Sequence, residues 1–239
     1  MAQKLDAPRR APLSRDRVLR AAVALADDSG IESLSMRRLA DELRVVPMAL
    51  YKHVANKEEL LDGMLDVVVA EIDPPDSGAD WKGAVRKRIL SARRALLRHP
   101  WASRVMASRT NPTPVVLEYI DTMTGIFRAG GFSVNLTHHL MHVLGSRLMG
   151  FTQELFDDSR SRSLEPEQLA VMMREMAQRY PYVVELAGAA SHERESVVGP
   201  GCDDQFEFEF ALDLLLDGFE RLRQEKWTST DHRRRQESR

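Results

Sequence analysis

The 239-residue chain has a single cysteine, Cys202, so no internal disulfide can form. That fits a reducing compartment such as the cytoplasm, the expected location. Cys202 lies in a Gly/Pro-rich stretch beside acids, a setting that disfavours the reactive thiolate. No uninterrupted apolar run approaches the about 18 residues of a membrane span. The opening MAQKLDAPRR lacks the apolar core of a signal peptide. Strand-like alternation bounded by hairpin turns is missing, as are internal repeats. There is also no excess of either charge, because the formal net charge is −2. What is present is ordinary for a soluble protein, with 43% hydrophobic and 29% charged residues, enough to build a sizeable core.

The charge is unevenly placed. Residues 1–20 carry Lys4, Arg9, Arg10, Arg15, Arg17 and Arg20 against Asp6 and Asp16. Residues 35–57 carry Arg37, Arg38, Arg44, Lys52 and Lys57 against Asp41 and Glu42. The rest of the chain is therefore acidic. A basic end suits a DNA-facing surface, although charge alone fits a solvated helix face equally well.

Helical periodicity runs through nearly the whole chain, so the expected fold is all-α. Residues 1–13 read as a flexible basic arm and 14–72 as a small domain with a connecting helix. The DPPDSGA stretch, 73–79, is a boundary, because two prolines and a glycine break the helix. Residues 80–227 read as a larger helical domain, with helices at about 80–98, 100–109, 113–129, 134–156, 166–179 and 204–225. A mobile loop is expected at 187–203, and a polar, disordered tail from Thr228.

Within the small domain, Ser14 can cap a helix over 14–29 and Ser35 a short helix over 35–43. A tight break at 44–46 precedes a second short helix, 47–53, opened by Pro47. Asn56 and Glu59 have capping-box spacing at the start of the connecting helix. One helix, two short helices across a three-residue turn and a capped long helix form the layout of a helix-turn-helix unit. The second short helix must enter a major groove, so it presents small or polar residues outward. Here Pro47, Met48, Ala49, Lys52 and His53 face or flank the groove, while Leu50 and Val54 anchor the helix inward. Tyr51 and Lys57 can reach phosphates on either side. Ser35, Met36 and Arg37 open the preceding helix, where free backbone N–H groups favour a phosphate.

The stretch GIESLSMRRLADELRVVPMALYKHVANKEELLD, Gly30 to Asp62, resembles the DNA-binding domain of the tetracycline-repressor (TetR) family. LYKHVANKEELLD is its most specific piece. The resemblance implies that Tyr51 and Lys57 contact DNA backbone. It places Met48, Ala49, Lys52 and His53 on or beside the groove-facing surface. One residue departs from the pattern: Arg44 stands where the family has a turn glycine, which suits positive φ. Arg44 must accept that conformation or shift the turn.

The second half resembles the regulatory domain of the tetracycline-repressor subgroup more weakly, through Trp81, RHPWASRVM, FRAGGFS, LMGFTQEL and FALDLLLDGFERL. This implies a homodimer built on helices near 134–156 and 204–222. Leu212, Leu215, Leu216 and Phe219 recur at helical spacing and serve either that interface or the subunit core. An effector site is expected beneath the 56–72 helix, with Met64, Arg88, Trp101, Met106, Phe127, Met141, His142, Phe151 and Glu154 as candidate lining; each also fits ordinary core. The subgroup's magnesium chemistry does not transfer. Glu154 falls at its metal-associated glutamate, but Met106 replaces the metal histidine, and a thioether is a poor ligand for a hard cation. Its drug contacts align with Asp73, Arg88 and Ala92. The expected effector is a different small organic molecule, largely apolar, with no metal or cofactor.

Two other readings compete. An all-helical metalloenzyme could use His138, His142 and Glu154, but it leaves the helix-turn-helix unexplained and lacks any nucleophile–base or phosphate-loop pattern. A helix-turn-helix dimer with a purely structural second half is the other. The reading adopted is a non-enzymatic, ligand-responsive regulator that represses from palindromic operator DNA and is nucleoid-associated when bound. Activation instead of repression depends on where the operator lies.

Overall fold

The computed structural model describes residues 12–76, 78–150, 166–190 and 204–237. Their regular structure is helical throughout. Helices α1 (Arg15–Ser29), α2 (Met36–Leu43), α3 (Pro47–Leu50) and α4 (Lys57–Ala70) come first. They are followed by α5 (Trp81–Arg98), α6 (Trp101–Ala107), α7 (Pro114–Ala129) and α8 (Val134–Gly150). Last come α9 (Pro166–Arg179), α10 (Pro181–Ala190), α11 (Asp204–Gln224) and α12 (Ser229–Glu237). Among the described residues no helix is long and apolar enough to cross a membrane.

The start signals act as their chemistry dictates. Ser14 and Ser35 accept the backbone N–H groups of Arg17 and Arg38 through their hydroxyls. The Asn56 side chain accepts the Glu59 N–H at 2.8 Å. Glu59 reaches back to the N–H of Ala55 rather than to that of Asn56, a shifted version of the expected box. Ser133 caps α8 by accepting the Leu136 N–H, and Gly131 takes the positive φ of 85° that closes α7.

By packing, the chain divides into two compact units, 1–126 and 127–239, with the division inside α7. The DPPDSGA stretch ends a helix as expected, yet it does not end a packing unit. One apolar cluster runs through α1, α2, α3 and α4 and continues into Ala95, Trp101, Ala102 and Val105 of α5 and α6. In the second unit Phe127 packs edge-on against Phe132 and Phe219, with ring centres 5.2 and 6.4 Å away.

Three expectations change. The helix at 47–53 is shorter: α3 ends at Leu50 and a turn carries Tyr51–His53. The tail is not disordered, because Ser229–Glu237 is helical and tied down. Asn135 exchanges two 2.9 Å hydrogen bonds with Ser229, and Trp227 stands edge-on to His139 at 5.3 Å. Residues 187–190 of the expected loop belong to α10. The remainder of that loop, 191–203, lies outside the described residues, as does the basic arm up to residue 11.

Candidate nucleic-acid interface and sensor core

The turn between α2 and α3 takes the conformation a glycine would take. Arg44 sits at φ 55°, ψ 48°, the left-handed region. The Val45 N–H bonds to the Ala40 carbonyl at 2.9 Å and the Arg44 N–H to the Asp41 carbonyl at 3.1 Å. Together they form a Schellman closure of α2. Arg44 therefore accepts the strain and the turn is unshifted. With the turn fixed, Leu50 and Val54 are buried at 0% and 1% exposure, as expected. Their burial turns Met48, 71% exposed, and Tyr51, 44% exposed, outward.

Pro47, Lys52, Lys57, Ser35 and Arg37 are also exposed, while Ala49 and His53 are half-buried. Met36 points partly inward and packs against the core, so it is the least available of the candidates. Val46, 68% exposed beside Met48, escaped the sequence reading. An apolar residue in a turn carries no periodicity that would single it out. Arg38 is partly committed: its guanidinium donates to the Ser29 hydroxyl at 2.8 Å.

The sensor candidates scatter. Met64 is fully buried in the core beneath α4. Trp101 is also core, and its indole N–H donates to Asp27 of α1 at 2.7 Å. Met106 borders a cavity of about 120 Å³ with Leu65, Arg109, Asn111, Pro112, Thr113 and Val116. Arg88 lies buried on α5. Phe127, Met141 and His142 belong to the second unit, where Phe127 is core, Met141 half-buried and His142 exposed. Phe151 and Glu154 lie outside the described residues. The His138 and His142 rings are 4.7 Å apart between centres, both exposed. No cluster of three metal-ligating side chains occurs among the described residues.

A polar junction that the sequence did not announce ties the α5–α6 corner to α1 and to the end of α4. His99 is buried, with Nδ1 2.9 Å from Asp27 and Nε2 3.2 Å from Glu71. Arg98 pairs with Glu71 at 2.5 Å. Burial pushes the Glu71 carboxyl up, but hydrogen bonds and charge from Arg98 and His99 outweigh it and hold it below its usual range. Farther along α4, Arg109 pairs with Glu58 and Asp62, and Thr113 donates to Asp66 at 2.5 Å. These partners lie 27 to 74 positions apart in sequence, so no local pattern could reveal them.

The sequence profile described as "Bacterial regulatory proteins, tetR family" matches residues 18–64, and that described as "Tetracyclin repressor-like, C-terminal domain" matches residues 74–223. The chain belongs to the TetR family. As a TetR-family member it is an all-α, helix-turn-helix transcriptional regulator. The two profiles change over near the DPPDSGA boundary, whereas packing divides the chain later, because α5 and α6 share the core of the reading head. The HTH-type transcriptional repressor DrrR1 of Streptomyces coeruleorubidus is 31% identical over 229 residues, covering 90% of this chain and 81% of that one. ActR of Streptomyces coelicolor without ligand is 26% identical, with a TM-score of 0.69 over 92% of this chain and 100% of that one. ActR in complex with actinorhodin is 27% identical, at 0.63 over 87% and 97%. BioQ of Mycobacterium smegmatis, solved with its double-stranded DNA operator, is 25% identical, at 0.57 over 87% and 98%.

Proposed function

We propose that this TetR-family regulator is a homodimeric repressor that binds palindromic operator DNA through α3 and is released by a small organic effector held beneath α4. The observation that carries this reading is the divided lining of the cavity. Leu65 belongs to α4, whereas Met106, Arg109, Thr113 and Val116 belong to α6, α7 and their connection. A ligand that enlarges this space displaces the α6–α7 connection that lines it. The Arg109–Glu58, Arg109–Asp62 and Thr113–Asp66 bonds make α4 follow whatever displaces the α6–α7 connection. Effector and DNA then weaken each other reciprocally, by typically 1–3 kcal/mol. At about 120 Å³ the cavity is smaller than the 300–1,000 Å³ of a typical ligand pocket, so binding requires it to open.

On the DNA side, Met48 and Pro47 offer apolar contact to thymine methyl groups and Lys52 a base contact. Tyr51 and Lys57 hold phosphates, and Ser35 and Arg37 add to them from the start of α2. The homodimer reading rests on α11. Leu212, Leu216 and Phe219 are buried, so that stripe is subunit core and not interface. A second stripe, Phe206, Phe210 and Leu214 at i, i+4 and i+8, is 53–58% exposed. We assign this face, with neighbouring α8, to a second copy. The expected site of action is the cytoplasm, at the nucleoid.

The test is fluorescence anisotropy of the purified protein with the DNA flanking its own gene, in a salt series with competitor DNA. Binding that survives competitor, with footprint halves one DNA turn (about 34–36 Å) apart, supports the reading. Binding that competitor and salt erase at every sequence refutes it.

A further inference from the structure

Among its described residues the first unit buries a positive charge without a counter-ion. Arg88 is only 8% exposed. One guanidinium nitrogen donates to the backbone carbonyl of Asp73 at 2.8 Å, and the group lies over the Tyr119 ring, 4.8 Å from its centre. The Asp73 carboxylate is taken by Arg94 at 2.6 Å. Among the described residues no carboxylate pairs with Arg88, and its buried Nε–H has no acceptor. The buried hydroxyl of Tyr119 has no partner either. The two orphaned donors therefore belong to groups stacked on each other in the interior, where an unpaired polar group is costly and an unpaired charge more so. Burial, partly countered by Arg88, pushes the Tyr119 phenol up to about 12, so it stays a neutral donor at physiological pH. One turn back on the same face of α7, Val116 borders the cavity beneath α4. Arg109, which also borders it, has a buried and unpartnered Nε–H of its own.

Taking the effector-release reading above as its basis, we propose that the effector is an organic acid. Its apolar body enters the cavity, and its oxyanion, a carboxylate or an ionised enol, is received by the Nε–H edge of Arg88 and the hydroxyl of Tyr119. A guanidinium edge and a phenol O–H make a charge-assisted pair of donors for one anionic oxygen group. An uncharged ligand would leave the buried charge as costly as before. The apolar character expected of the effector from its lining then holds for the body of the molecule and not for its end.

Four probes of similar shape test this by calorimetric titration: 2-naphthoate against methyl 2-naphthoate, and 2-hydroxy-1,4-naphthoquinone, ionised at neutral pH, against 2-methoxy-1,4-naphthoquinone. Melting of the effector-free Arg88→Met and Tyr119→Phe variants is measured alongside. At least one acid is expected to bind the wild type more tightly than its neutral partner. That preference should fall by roughly 10- to 100-fold in Arg88→Met. Which acid binds more tightly separates carboxylate from enol. Effector-free Arg88→Met is expected to melt about 2–4 °C higher than wild type, because an uncompensated charge is gone; a merely structural arginine would make it melt lower. Equal binding of acids and neutral partners, or an acid preference intact in Arg88→Met, overturns the acid assignment and leaves the effector reading standing. Failure of all four probes to bind also overturns the acid assignment, whereas the effector-release reading falls with the operator-binding test above.

Discussion

Replacing Arg44 by glycine separates the backbone cost of the reading-head turn from the charge that sits on it. Arg44 holds φ 55°, ψ 48° with its side chain exposed. A left-handed conformation costs a non-glycine residue roughly 1–2 kcal/mol. Glycine escapes that cost but loses about 0.5–1 kcal/mol through the greater freedom of its unfolded chain. The expected net stabilisation of Arg44→Gly is therefore about 0.5–1 kcal/mol, or a melting temperature about 1–4 °C higher. Arg44→Ala keeps the strain while removing the charge, so its stability should stay within about 0.5 kcal/mol of wild type. Both variants should lose operator affinity alike. If Arg44 reaches a phosphate, the slope of log affinity against log salt falls by about one unit in each. Differential scanning calorimetry and salt-series anisotropy on the two variants complete the assay. Arg44→Gly melting below wild type while Arg44→Ala is unchanged would show that no left-handed strain exists to relieve.

Asp27→Ala strips the acceptor from the buried indole of Trp101 and from His99; two orphaned donors should lower stability by about 2–4 kcal/mol in thermal unfolding, with Asp27→Asn milder. Phe210→Asp places a charge in the exposed apolar stripe of α11 and should convert dimer to monomer in sedimentation equilibrium, with helicity by circular dichroism retained. Lys52→Ala should relax discrimination among single-base operator variants, whereas Lys57→Ala should weaken all of them equally; a uniform loss from Lys52→Ala would assign it to phosphate. The depressed Glu71 carboxyl contributes stability that is complete above its ordinary value of 4.5 and is lost as pH falls through the lower folded value. Glu71→Gln should therefore lower stability at neutral pH and flatten the acid limb below pH 4.5, while the slope above 4.5 stays as in wild type, in thermal melts recorded across pH.

The reading head was legible because its signals are local. Ser14, Ser35 and Asn56 cap helices whose apolar stripes follow within one turn, and each cap bond lies three residues away. Leu50 and Val54 point inward because helical spacing leaves them no other side. The stop at α3 was less legible, since Tyr51–His53 continue the polar pattern of a helix and the Val54 N–H still bonds to the Leu50 carbonyl at 3.0 Å, closing one last turn. The order of the tail was not legible, because composition predicts disorder for STDHRRRQE, whereas the bonds of Ser229 to Asn135 come from a residue 94 positions away.

The all-α fold, the helix-turn-helix and the family follow from local sequence, because periodicity, caps and a compact motif are encoded within a few turns of chain. The sequence also posed the question of Arg44, which the backbone answered by adopting the glycine conformation. Which face of α11 is core and which is open depends on the packed fold, because two apolar stripes on one helix look alike until a neighbour covers one. The packed fold alone placed Trp101 against Asp27 and His99 between two carboxylates. It alone left Arg88 and Tyr119 buried with donors unmet. Such pairings join residues far apart in the chain, and their chemistry arises from burial, which a sequence specifies only through the fold it reaches.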